Sequence, residues 1–196
     1  MIHDTDVLVV GCGPVGILTA LALAQENLKV TIIEMTPDIV ASPRAPVYFP
    51  STIYALDELG ILPDLKKVAT VGQQFTQHFP MLNEKVTFEF DILEGISYPY
   101  ILHIGQDALA KIAVEHAKKL NVNVKFGHTL VDYIDTEAGV VAQIQGPNGL
   151  IEIKSKWLIG TDGASSVVRE KMDVTFDGMT WPFRFVAANV HAKFEQ

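Results

Sequence analysis

Thr5-Asp6-Val7-Leu8-Val9-Val10-Gly11-Cys12-Gly13-Pro14-Val15-Gly16 is the stretch that decides the fold. Thr5 to Val10 is almost wholly apolar, the pattern of a short strand buried on both faces of a parallel sheet. Pro14 to Gln25 reads as a helix with proline in its first turn, where a missing N–H costs nothing. Lys29 to Glu34 is a second strand, so the opening is a βαβ unit. The glycines between the first strand and the helix have separate tasks. Gly11 permits the tight turn, Gly13 lets backbone approach a pyrophosphate, and Gly16 lets the helix pack closely. Phosphates would then meet the free N–H groups of the helix start, built from Gly13, Pro14, Val15 and Gly16. Ala20 extends the small-residue contact by one helical turn. Glu34 closes the second strand, and a carboxylate there accepts from a ribose diol and disfavours a 2′-phosphate. This unit says dinucleotide without separating NAD from FAD.

Around this unit, composition narrows the class. The chain has 196 residues, 48% apolar and 19% charged, enough for one sizeable core or for one domain plus a piece of another. A net charge of −8 without a basic block argues against nucleic acid or an anionic membrane as the main partner. No apolar run reaches the length of a membrane span. His3, Asp4 and Asp6 stand where a basic leader would, so no secretory signal is expected. Cys12 is the single cysteine; no intramolecular disulfide can form, which fits a reducing cytoplasm. The histidines (His3, His78, His103, His116, His128 and His191) show no metal-ligand spacing, so no metal is expected. His116, on the apolar side of its helix, reads as a packing residue.

Further along, Ser51 or Thr52 is expected to cap a short helix to Leu59, stopped by Gly60. Val71 to Phe79 and Val86 to Asp91 read as paired strands. Val86, Phe88 and Phe90 alternate with Thr87, Glu89 and Asp91, a half-exposed antiparallel pattern, with Phe88 and Phe90 taken as core. Asp107 is expected to cap a helix to about Leu120, with Leu109, Ile112, Ala113 and His116 on one face. Val122 to Phe126, Thr129 to Asp135, Val140 to Gln145, Leu150 to Ile153 and Lys156 to Ile159 read as strands, the last one buried. Gly146-Pro147-Asn148-Gly149 supplies a turn. Thr180 to Phe194 reads as the opening strand of another sheet.

A second motif, Asp162-Gly163-Ala164-Ser165-Ser166-Val167-Val168-Arg169, follows the strand Trp157-Leu158-Ile159-Gly160. Read locally, it is a strand-to-helix turn capped by Ser165 or Ser166. Together with the glycine loop it resembles the flavin-binding motifs of the FAD-dependent aromatic-ring hydroxylases, the single-component flavoprotein monooxygenases related to phenol and para-hydroxybenzoate hydroxylases. Two further positions add to the resemblance. Arg44, in Ser42-Pro43-Arg44-Ala45, stands where the family has an arginine on the flavin diphosphate and ribityl region, a task suited to a forked, permanent cation. Gln106 stands where the family has a glutamine on the ribityl chain. Asp162 is then expected to accept from a ribose or ribityl hydroxyl. Gly163 would let the chain pass close to the cofactor, and Arg169 would hold Asp162 or its loop. Met35 departs from the pattern, since many relatives carry an arginine there. The family's third motif, a Gly-Asp pair, has no counterpart after Arg169.

The resemblance covers Asp6 to about Val190 and implies an α/β fold. That fold is a Rossmann-like FAD/NAD(P)-binding domain with antiparallel β insertions and the start of a β-rich substrate domain. Residues 1–70 and 100–175 are assigned to the FAD-binding domain, and residues 71–99 and 176–196 to an incomplete substrate domain. The implied reaction is hydroxylation of an aromatic, phenolic substrate with NAD(P)H and molecular oxygen, in an enzyme of which the chain is an N-terminal portion, incomplete by itself. A catalytic base is not assigned. The alternatives are another FAD oxidoreductase on the same scaffold (dehydrogenase, oxidase or halogenase) or a truncated non-catalytic flavin-binding module. Homo-oligomerisation is left open.

Overall fold

The computed structural model describes residues 4–41, 45–184 and 186. Its strands are β1 (Thr5–Val10), β2 (Val30–Glu34), β3 (Val47–Tyr48), β4 (Thr70–Gly72), β5 (Gln74–Phe79), β6 (Glu84–Glu89), β7 (Ile101–His103), β8 (Asn123–Phe126), β9 (Thr129–Thr136), β10 (Gly139–Gly146) and β11 (Gly149–Gly160). Its helices are α1 (Pro14–Gln25), α2 (Pro50–Glu58), α3 (Leu62–Lys66), α4 (Gln106–Lys119) and α5 (Val167–Lys171).

The main sheet runs β8-β2-β1-β11-β10-β9. Its first four strands are parallel, and β11, β10 and β9 form an antiparallel meander. Both faces of β1 are covered over Val7 to Val10, which is why that stretch is apolar. Val7 and Val9 pack with Ile17, Ala20 and Leu21 of α1 and with Leu109, Ala110 and Ala113 of α4. Leu8 and Val10 point the other way, into a cluster with Leu130, Ala142, Ile144 and Ile153 of the meander and Val168 of α5. Each such buried Leu or Ile contributes about 1.5–3 kcal/mol of apolar burial.

Several expectations change. α2 is entered through Phe49 as N-cap with Pro50 in the first turn, so Ser51 and Thr52 lie inside the helix. α4 is entered through Gly105, and Asp107 sits in its first turn, 3.7 Å from Lys111. The expected strands Leu150 to Ile153 and Lys156 to Ile159 are one continuous strand, β11. Trp157 on that strand is 70% exposed, so this stretch is not wholly buried. The expected strand Val71 to Phe79 is divided at Gln73 between β4 and β5. β3, β7 and α3 were not anticipated. β3 and β4 flank β7 in a small antiparallel sheet.

β5 and β6 form a two-stranded sheet of their own, with Phe75 opposite Phe88. The alternation is real, but the face carrying Phe75, Val86 and Phe88 is open: Phe88 is 59% exposed and is not core. Phe90 belongs to a 3-10 turn, Phe90–Leu93, and is half-buried. Residues Thr180 to Arg184 form no strand; the remainder of the expected tail strand, apart from Val186, lies outside the described residues. His116 pairs with Asp64 at 2.8 Å, tying α4 to α3. The neighbouring Lys67 ammonium and His116 hold the Asp64 carboxyl down at about 2. Among the described residues no helix is long and apolar enough to cross a membrane.

Candidate functional site

Parallel strands end together, so whatever follows β1, β2 and β11 is brought to one edge of the sheet. The register sets Val10 of β1 beside Ile33 of β2 and beside Gly160 of β11. The next residues are the glycine loop after β1, Glu34 at the end of β2, and Thr161-Asp162-Gly163 after β11. This edge is where open α/β sheets bind ligands.

Gly11 turns the chain with φ +97°, and a Cβ there would lie 2.6 Å from the Thr161 carbonyl oxygen. Gly16 is packed harder: a Cβ would come within 1.9 Å of the Gly11 oxygen. Gly13 differs from both, because nothing stands within 4 Å of where its Cβ would be. That direction is open for a ligand to approach the backbone. Gly13 is also the N-cap of α1, with Pro14 next and no side chain accepting from the first turn. The helix therefore presents its positive end without a protein acceptor from a side chain.

Two carboxylates flank this opening. Glu34 Oε2 accepts the Cys12 N–H at 2.8 Å, and Oε1 accepts the Thr36 N–H at 2.9 Å. The Thr36 hydroxyl, 2.9 Å from Oε1, is shared with the Asp38 carbonyl. The open lone pair on Oε2 can still receive a hydroxyl. Asp162 Oδ1 accepts the Ser166 hydroxyl at 2.6 Å, and Oδ2 accepts the Val168 N–H at 3.2 Å. Ser166 caps α5 in turn, its Oγ accepting from the Arg169 N–H at 3.0 Å. Arg169 does not reach Asp162. Its guanidinium donates to the Ala164 carbonyl at 2.9 Å and lies 4.3 Å over the Phe176 ring, so it fastens the loop. Burial, aided by the Glu34 charge, pushes the Cys12 thiol up to about 12, so it stays protonated and is no nucleophile.

A cleft of about 470 Å³ joins these parts. Gly11, Gly13, Pro14, Glu34, Gln106, Asp162 and Gly163, all expected site residues, line it. Val15, Gly16 and Arg169 do not: Val15 is exposed, Gly16 lies beneath the loop, and Arg169 braces the second motif from behind. Arg44 lies outside the described residues. Thr36, Asp107, His128, Thr129 and Thr161, none of them expected as site residues, also border the cleft. Their common signal is a polar residue at or just after a strand or helix terminus on the sheet's carboxyl edge.

A helix start without a capping side chain, an open approach at Gly13 and two carboxylates with spare lone pairs suit a pyrophosphate flanked by hydroxyl-bearing groups. Fold and cleft thus define a dinucleotide-binding domain of the Rossmann type. The profile of the FAD binding domain family matches residues 4–196, and the chain belongs to that family. It is 37% identical over 190 residues to para-nitrophenol 4-monooxygenase of Pseudomonas sp. (strain WBC-3), covering 96% of this chain and 47% of that protein. It is 38% identical over 193 residues to the 6-hydroxy-3-succinoylpyridine 3-monooxygenase HspB of Pseudomonas putida, covering 97% and 49%. The crystal structure of p-nitrophenol 4-monooxygenase PnpA from Pseudomonas putida DLL-E4 superposes with a TM-score of 0.87 at 36% identity, over 92% of this chain and 46% of that one. The chain spans about half the length of these relatives.

Proposed function

We propose that the chain is the FAD-binding part of a single-component monooxygenase that hydroxylates an aromatic, phenolic substrate with NAD(P)H and molecular oxygen. One observation carries the reading: the glycine loop and the Thr161–Gly163 turn border the same cleft, with the start of α1 open between Glu34 and Asp162. The similarity to two bacterial monooxygenases of nitrophenol and hydroxypyridine substrates supports the reaction class.

In this reading Gly11, Gly13, Pro14, Val15 and Gly16 build the pyrophosphate seat. Glu34 holds the adenosine ribose through Oε2. Gln106, Asp162 and Gly163 meet the ribityl side, Arg44 adds a cation to the diphosphate, and Arg169 keeps the second loop in place. Residues 1–70 and 100–175 form the FAD-binding domain, and residues 71–99 and 176–196 belong to a substrate domain. The exposed apolar face of β5 and β6 supports that division, because no other layer covers it among the described residues. The redox and oxygen-transfer chemistry is supplied by FAD when bound, and the residues named here bind and orient it. A cytoplasmic setting fits the single, protonated cysteine.

The test is made on the full-length protein loaded with FAD. A phenol should stimulate NAD(P)H oxidation and be recovered as its hydroxylated product. Oxidation that yields only hydrogen peroxide, whatever phenol is supplied, would reject the monooxygenase in favour of an oxidase.

A further inference from the structure

We propose that Thr161 is a positioning residue: its hydroxyl clasps the glycine loop to the Asp162 turn, so that two segments 150 residues apart bind one ligand as a single surface. The inference rests on the FAD-binding reading above.

The geometry is specific. The single Thr161 hydroxyl proton is shared between the Val10 carbonyl, 2.8 Å from Oγ1, and the Gly11 carbonyl, 3.0 Å from it. The Thr161 N–H also donates to the Val10 carbonyl, at 2.8 Å. The backbone bond merely continues the β1–β11 pairing by one step. The hydroxyl does more, since it reaches past the strand end into the turn itself. It also needs room. A Cβ on Gly16 would stand 2.6 Å from Oγ1. The absence of a side chain at Gly16 therefore makes space for the clasp as well as for the Gly11 carbonyl. A Cβ on Gly11 would in turn stand 2.6 Å from the Thr161 carbonyl oxygen. Residues 11, 16 and 161 form one interlocked contact at the floor of the cleft, where Gly11 and Thr161 line it and Gly16 lies behind them, and Gly13 and Asp162, which also line it, stand close by in the chain.

A ligand bound at only one of the two segments has little need of this contact. A ligand that stretches across both depends on their spacing. Removing the hydroxyl should therefore separate long ligands from short ones.

The experiment measures affinity for FAD and for ADP in the wild type, Thr161→Val, Thr161→Ala and Thr161→Ser. Loss of the clasp should weaken FAD by about tenfold, the upper value of one hydrogen bond, and ADP by less than about threefold. Thr161→Ser keeps the hydroxyl and should restore FAD affinity. Equal loss of both ligands, or unchanged FAD affinity in Thr161→Val and Thr161→Ala, overturns the proposal. So does failure of both of these variants to fold, since the residue would then be structural alone. Failure of the wild type to bind FAD would overturn the FAD reading itself, a different result from any of these.

Discussion

Three glycines that look equivalent in the fingerprint are constrained by different things. At Gly11 and Gly16 the obstacle to a side chain is the protein's own backbone. At Gly13 the protein leaves the space empty, and its φ of −67° and ψ of 176° suit any residue. Gly13→Val should accordingly fold as the wild type does yet lose FAD affinity by about a hundredfold, with a melting temperature unchanged within about 2 °C. Parallel thermal melts and FAD titrations check this, and undiminished affinity would move the pyrophosphate elsewhere. Glu34 was legible as a carboxylate at a strand end; its grip on the Cys12 N–H was not, because that bond depends on how the loop folds back. Phe88 shows the opposite case. Alternation identifies the face on which it lies, but nothing in a period of two says whether another layer covers that face.

The elements best read from sequence are those whose ends carry strong punctuation. α1 begins at Pro14 and ends at Gln25 as expected, because a proline and a glycine turn fix its start and the polar run Gln25-Glu26-Asn27, with Asn27 at φ 61°, ends its apolar stretch. Caps on α2 and α4 were misplaced for one reason: Ser51, Thr52 and Asp107 are good capping residues, but the chain enters each helix two or three residues sooner, through Phe49 and Gly105. β3 and β7 are too short to show alternation, and their pairing is set by tertiary contact. α5 is the element on which the second motif hangs. Ser166 both caps it and donates to Asp162, so a single hydroxyl joins helix to carboxylate. Ser166→Ala should lower stability by about 1 kcal/mol, the cost of a lost N-cap, read as a reduced urea midpoint. An unchanged midpoint would mean that α5 is held by Val168 and its neighbours alone.

Taken as a whole, the chain makes its cofactor easier to read than its substrate for a topological reason. Three parallel strands, β1, β2 and β11, deliver the glycine loop, Glu34 and Asp162 to one edge, and each arrives with a local signature in the sequence. The exposed hairpin of β5 and β6 has no such signature, and its apolar face meets no other layer among the described residues. The relatives, about twice as long, carry further chain beyond the matched region or before it. The account depends on one ligand lying between residues 11–16 and residues 161–163. Hydrogen–deuterium exchange of the protein, titrated with FAD, tests this most directly. Exchange should slow at both stretches together, at the same FAD concentration. Protection at one stretch with none at the other would contradict a shared ligand.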